Sequence, residues 1–262
     1  MEISINKMVF KSNVVFESTS LSLSQNKAYA LVGKNGSGKT TLFRLISKSI
    51  INFDGKIDLE GKKVASLIDK ASPFENETCA SFASSFLTKE ELKTFEGYKN
   101  LFEIDEYFDK KINKCSLGMR RKYLIALVLS KDCGIILLDE PFNGLDTIST
   151  NKLIELINKI KMEKIIIVSS HDFSNIHLYA DELILIEDKK LINKPLLSSV
   201  YKVEFSSSDE RDRFIANTRF KTSLRNGLVL VNIEGSDKKE LLKELSEYNY
   251  ESFQKEDFNY DK

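Results

Sequence analysis

The residues best suited to chemistry are Gly33-Lys34-Asn35-Gly36-Ser37-Gly38-Lys39-Thr40, which carry the full Walker A spacing of a phosphate-binding loop. Glycines let successive backbone N–H groups curl around a phosphate, because a Cβ would block either the dihedrals or the approach. Lys39 can reach the β- and γ-phosphates of a nucleotide, and the Thr40 hydroxyl is placed to ligate Mg²⁺. Gly33, Asn35, Gly36, Ser37, Gly38, Lys39, Thr40 and Thr41 are therefore the candidate nucleotide-binding residues.

Farther along, Ile135-Ile136-Leu137-Leu138-Asp139-Glu140-Pro141 reads as a buried strand ending in two carboxylates. A parallel sheet presents its chemistry at such strand ends. Asp139 suits the metal and Glu140 a water molecule. Without the upstream loop, two such acids could equally be a plain strand terminus reaching solvent.

These residues need elements to hold them. Ala28–Val32 reads as a buried strand, and Leu42, Phe43, Leu45, Ile46 and Ile50 mark one face of a helix starting near Thr40. The glycine loop thus lies between a strand and a positive helix end. Rough alternation over 2–8 and 14–24 predicts antiparallel strands at a domain edge, and 76–131 reads as mainly helical. Strands return at 135–138, 165–168 and 183–186, separated by helical patterns such as Leu153, Ile154, Leu156, Ile157 and Ile160, the alternation that builds a doubly wound parallel sheet. After Pro195 the pattern predicts strand 200–205, helix 208–217, strand 228–233 and helix 237–247, while 251–262 shows neither period. The expected domains are 1–197, with its helical part at about 76–131, and a small α+β appendage with tail at 198–262.

Composition narrows the function. The 39 basic and 39 acidic residues cancel, and without a long block of like charge nucleic acid is not an expected partner. Cys79, Cys115 and Cys133 show no C-x-x-C spacing, so neither a disulfide framework nor a zinc site is expected, and a reducing, cytoplasmic setting fits. The N-terminus lacks the apolar stretch of a secretory signal, and no segment approaches the roughly 18 apolar residues of a membrane helix, so any membrane work would need a second chain.

With these motifs in place, the chain over roughly 5–195 resembles an ATP-binding-cassette (ABC) ATPase, because four further segments occur in that family's order. Cys115-Ser116-Leu117-Gly118-Met119 stands at the position of the family signature and keeps Ser116 and Gly118, although Ser116 also reads as an ordinary helix N-cap. Asn143-Gly144-Leu145-Asp146 resembles the D-loop, and Ser169-Ser170-His171-Asp172 resembles the segment with the switch histidine that contacts the γ-phosphate. The Q-loop position holds Asp69 in place of glutamine, a candidate metal-site residue. The family also stacks an aromatic residue on adenine, for which Phe10 is the first candidate and Phe16 the second.

The resemblance implies an α/β P-loop NTPase fold with an N-terminal antiparallel β subdomain and a helical subdomain. It implies ATP and Mg²⁺ as cofactors, Lys39, Glu140 and His171 as catalytic residues, and Thr40, Asp139 and Asp69 at the metal. Ser116, Gly118 and Asp146 would meet the nucleotide held by a second ABC subunit, an identical copy or a close paralogue. The principal partner would be a membrane-spanning permease docking near 69–100, where Phe74, Phe82 and Phe86 offer apolar surface or core. The signature string and Asp69 look similar to exporters of the bacitracin-resistance and lantibiotic-immunity type. A soluble ATPase driving assembly of a protein complex is the alternative.

Overall fold

The computed structural model describes residues 1–10, 12–67, 75–171, 175–196, 199–225, 227–233 and 238–255. They fall into two compact units, Met1–Pro195 and Leu196–Lys262.

The first unit is built on two sheets. Strands β1 (Glu2–Phe10), β2 (Asn13–Ser22) and β4 (Asp54–Asp58) form an antiparallel sheet in the order β2-β1-β4. Strands β3 (Lys27–Val32), β5 (Val64–Leu67), β6 (Ile135–Asp139), β7 (Ile165–Ser170), β8 (Glu182–Glu187) and β9 (Lys190–Pro195) form the second, in the order β5-β6-β7-β3-β8-β9. Only the β8–β9 pair is antiparallel. Every residue of β6 and β7 is buried, which explains their near-continuous Ile/Leu/Val runs: a parallel sheet covered on both faces has no polar side to show. Ile3, Ile5 and Phe16 from the antiparallel sheet join Leu31, Phe43, Leu137 and Ile167 in one hydrophobic cluster.

Helix α1 (Lys39–Ile46) follows β3. It stops earlier than its apolar spacing suggested, because Ser47 caps it and Lys48 turns left-handed (φ 58°), so Ile50 packs on the core from beyond the helix end. The segment after β5 holds α2 (Cys79–Phe86), α3 (Lys89–Leu101), two 3₁₀ turns and α4 (Leu117–Leu129). A reciprocal Thr88/Glu91 capping box opens α3. Helix α5 (Thr147–Ile160) buries Leu153, Ile154 and Ile157 between β6 and β7 in sequence, and the short α6 (Ile176–Tyr179) precedes β8.

The second unit runs β10 (Ser199–Phe205), α7 (Ser208–Asn217), β11 (Lys221–Arg225), β12 (Leu228–Ile233), α8 (Lys238–Leu245) and β13 (Tyr250–Lys255). This is a β-α-β-β-α-β unit with the antiparallel order β11-β12-β10-β13. Its core is Tyr201, Val203, Phe214, Val229, Val231, Ile233, Leu241 and Leu245. Strands β11 and β13 were not legible: Lys221–Arg225 is a polar edge strand, and β13 shows no simple apolar alternation. The tail from 256 lies outside the described residues.

Candidate active site

The phosphate loop spans 33–38 between β3 and α1. Its shape depends on glycine. Gly36 (φ 81°) and Gly38 (φ 116°) are left-handed, and a Cβ on Gly38 would stand 2.6 Å from Val15 Cγ1 and 3.0 Å from Phe16 Cζ. No side chain caps α1, so its first-turn N–H groups are left to an incoming anion. Lys39 is only 8% exposed, its ammonium donates to the Gly33 carbonyl at 2.7 Å, and no carboxylate pairs with it among the described residues. The Ser37 hydroxyl is buried without a hydrogen-bond partner among the described residues. A buried ammonium, an orphaned hydroxyl and bare amides fit a polyphosphate.

Strand order brings the second motif alongside. Register places Asp139 opposite Ser169 on the β6–β7 pair. The Thr40 hydroxyl donates to Asp139 Oδ2 at 2.8 Å, and the Ser169 hydroxyl donates to Asp139 Oδ1 at 2.5 Å. Asp139 is 4% exposed. A threonine hydroxyl and a carboxylate are hard oxygen donors that fit Mg²⁺ sharing its shell with phosphate and water. Glu140 follows at φ 48°, and its Oε2 accepts from His171 Nδ1 at 2.8 Å. Lys39, Thr40, Asp139, Glu140 and His171 therefore gather at the ends of β3, β6 and β7. Asn35 is exposed beside them and Thr41 is half-buried on α1.

Ser116, Gly118 and Asp146 form a second cluster. Ser116 caps α4 by accepting from the Met119 amide at 3.2 Å, and Leu117 behind it is left exposed. A Cβ on Gly118 would meet the Gly144 carbonyl oxygen at 2.8 Å, so two backbones touch. Asp146 caps α5 through the Ser149 amide at 2.7 Å and pairs with Lys122 at 2.8 Å. The Lys122 ammonium, followed by that amide, holds the Asp146 carboxyl well below its usual range. Arg121, buried on α4, reaches back to the first cluster, donating to the Asp139 carbonyl at 3.4 Å.

The aromatic candidates differ. Phe16 is fully buried beneath Gly38, so it cannot stack on a base, whereas Phe10 at the end of β1 is half-buried against the core. Asp69, Phe74 and Asp172 lie outside the described residues. Phe82 is buried and Phe86 is 43% exposed, their rings stacked 5.3 Å apart. Ser169, Arg121 and Lys122 were not assigned from sequence, because their roles arise only from strand register and helix packing.

Comparison with known proteins gives consistent matches. Residues 16–143 fit the family described as ABC transporter. The ABC transporter ATP-binding protein NatA of Bacillus subtilis strain 168 is 31% identical over 208 residues, covering 71% of this chain and 84% of that protein. The lantibiotic transport ATP-binding protein SrtF of Streptococcus pyogenes is 27% identical, over 71% of this chain and 86% of its own. A solved ATP-binding subunit of an ABC transporter superposes at TM-score 0.68 with 19% identity, covering 94% of this chain and 98% of that one.

Proposed function

The chain belongs to the ABC transporter ATP-binding family and is a nucleotide-binding transporter ATPase, and from that premise we propose that it powers a separate membrane-spanning permease by hydrolysing Mg-ATP between two such subunits. No helix among the described residues is long and apolar enough to cross a membrane. The location that goes with this reading is the inner face of the cell membrane, where the permease would hold the subunit. The single observation that carries the reading is the hydrogen-bond chain from Thr40 through Asp139 to Ser169, with Glu140 and His171 paired beside it.

In this mechanism the amides of 33–38 and the α1 N-terminus cradle the phosphates, Lys39 neutralises the β- and γ-oxygens, and Phe10 stacks on adenine. Thr40 and Asp139 would hold Mg²⁺, with Asp69 as a further ligand candidate read from the sequence alone; the ion supplies charge neutralisation of the phosphates when bound. Glu140 orients or deprotonates the attacking water, and His171 holds the Glu140 carboxylate and supports the γ-phosphate. Ser116, Gly118 and Asp146 act on the nucleotide of the second subunit. Closure and reopening of the pair then drive the permease. The Ser-Leu-Gly-Met signature, similar to that of lantibiotic-immunity exporters, supports export as the direction.

The test is to express tagged Glu140→Gln chain in its native host, solubilise membranes in mild detergent with Mg-ATP, and identify what co-purifies. A stoichiometric polytopic membrane protein is the expected result. A purely cytosolic complex would overturn the transporter assignment and favour a soluble assembly ATPase.

A further inference from the structure

Glu140 adopts a left-handed backbone (φ 48°) at the end of β6, uncommon for a residue with a side chain, and unlike the other such residues described, which are all exposed, it is held by buried partners. The enforcing contacts converge on one peptide group. Its N–H, that of Glu140, donates to Ser169 Oγ at 2.9 Å. Its carbonyl, that of Asp139, accepts from Arg121 Nη1 at 3.4 Å. The Asp139–Glu140 peptide is thus gripped on both sides, by a serine of β7 and an arginine of the signature helix α4.

The Ser169 hydroxyl has a second task. It spends its only proton on Asp139 Oδ1 at 2.5 Å, which turns its lone pairs to the Glu140 amide. This double contact is possible because Asp139 and Ser169 are direct cross-strand partners. Ser169 is fully buried, so water cannot take its place without opening the sheet. One hydroxyl therefore fixes the relation between the carboxylate assigned to the metal and the carboxylate assigned to the water. His171, two residues beyond Ser169 on the same strand exit, holds the far end of the Glu140 side chain.

We infer that Ser169 is a positioning residue for ATP hydrolysis, locking the peptide bend that aims Glu140 at the attacking water. The inference rests on the assignment of Glu140 as the hydrolytic base. If the bend were held by chain sterics alone, the hydroxyl would be only a satisfied core polar group.

The two cases separate in a double-mutant cycle on the purified full chain, using single-turnover hydrolysis of Mg-ATP, ATP affinity by calorimetry and thermal melting. Ser169→Ala is expected to slow hydrolysis by about 10- to 100-fold, the scale of a misplaced catalytic group, with ATP affinity within about threefold of wild type. Placed on Glu140→Gln, the same change should alter the residual rate by less than about threefold, since there is no base left to aim. An unchanged rate in Ser169→Ala, or an equal loss in both backgrounds, would overturn the inference while leaving Glu140 as base. Normal turnover in Glu140→Gln alone would remove the base assignment and the positioning role with it.

Discussion

The two units handle buried polarity in opposite ways. Among the described residues, every buried polar or charged residue lies in the first unit, and Lys39, Arg121, Asp139, Ser169 and Ser170 cluster where β3, β6 and β7 end. In the second unit the described core is a cluster of hydrophobic residues, and among the described residues its buried polar atom without a partner is the single Glu210 Oε2. Buried polar groups cost stability unless they are partnered. Their concentration at one set of strand ends therefore marks where the fold gives up stability for chemistry, while the second unit, with no such cluster, has the make-up of a module kept for its shape or surface.

This contrast can be broken in several ways, of which Lys39→Ala has the largest expected effect. Removing the buried ammonium should abolish detectable ATP binding by calorimetry; unchanged affinity would show that the first unit's buried charge is structural. Next, Glu140→Gln should slow hydrolysis by roughly 10² to 10⁴ while filter binding still detects bound ATP. Near-normal turnover would take Glu140 out of the chemistry.

The second unit should answer in stability alone. Phe214 is fully buried between Phe205 and Tyr248, with ring centroids at 5.1 and 5.3 Å, so Phe214→Ala should cost about 3–5 kcal/mol. Hydrogen exchange should report that loss in 199–255, with ATP affinity unchanged. A parallel loss of affinity would erase the distinction between the units.

The smallest effect concerns a buried acid remote from the nucleotide motifs. Burial by itself would raise the Glu91 pKa, but the amides of Thr88 and Asp132 and the Lys131 ammonium bring it down to about 2, against 4.5 for a free glutamate. A depressed folded-state pKa means stability present above about 4.5 and lost as the pH falls towards 2. Thermal melts across that window should therefore decline more steeply for wild type than for Glu91→Gln. Parallel curves would show that this acid contributes nothing specific.

Where the sequence was legible, physics acted locally. The glycine loop, the strand ending in Asp139-Glu140 and the runs of β6 and β7 are each set by neighbours in the chain, and all appear where the spacing put them. Ile50 misled because a periodic apolar residue can pack on the core without being helical. Edge strand β11 carries too few apolar residues to show a period. Ser169 was visible as a residue but not as a contact, since nothing in Ser169-Ser170-His171 tells which residue of β6 lies opposite. Likewise Phe10 and Phe16 are equal in type and could only be ranked first and second, whereas the packing of Phe16 beneath Gly38 removes it as a base-stacking residue.

The contact between Gly118 and the Gly144 carbonyl has a mechanical meaning. Side chains are springs with rotamers to spare; two backbones pressed together are not. With the Lys122–Asp146 pair across the same junction, the starts of α4 and α5 meet through backbone as well as side chain. Enlarging Gly118 would therefore push on the Gly144 backbone, so a change at one tip is carried to the other.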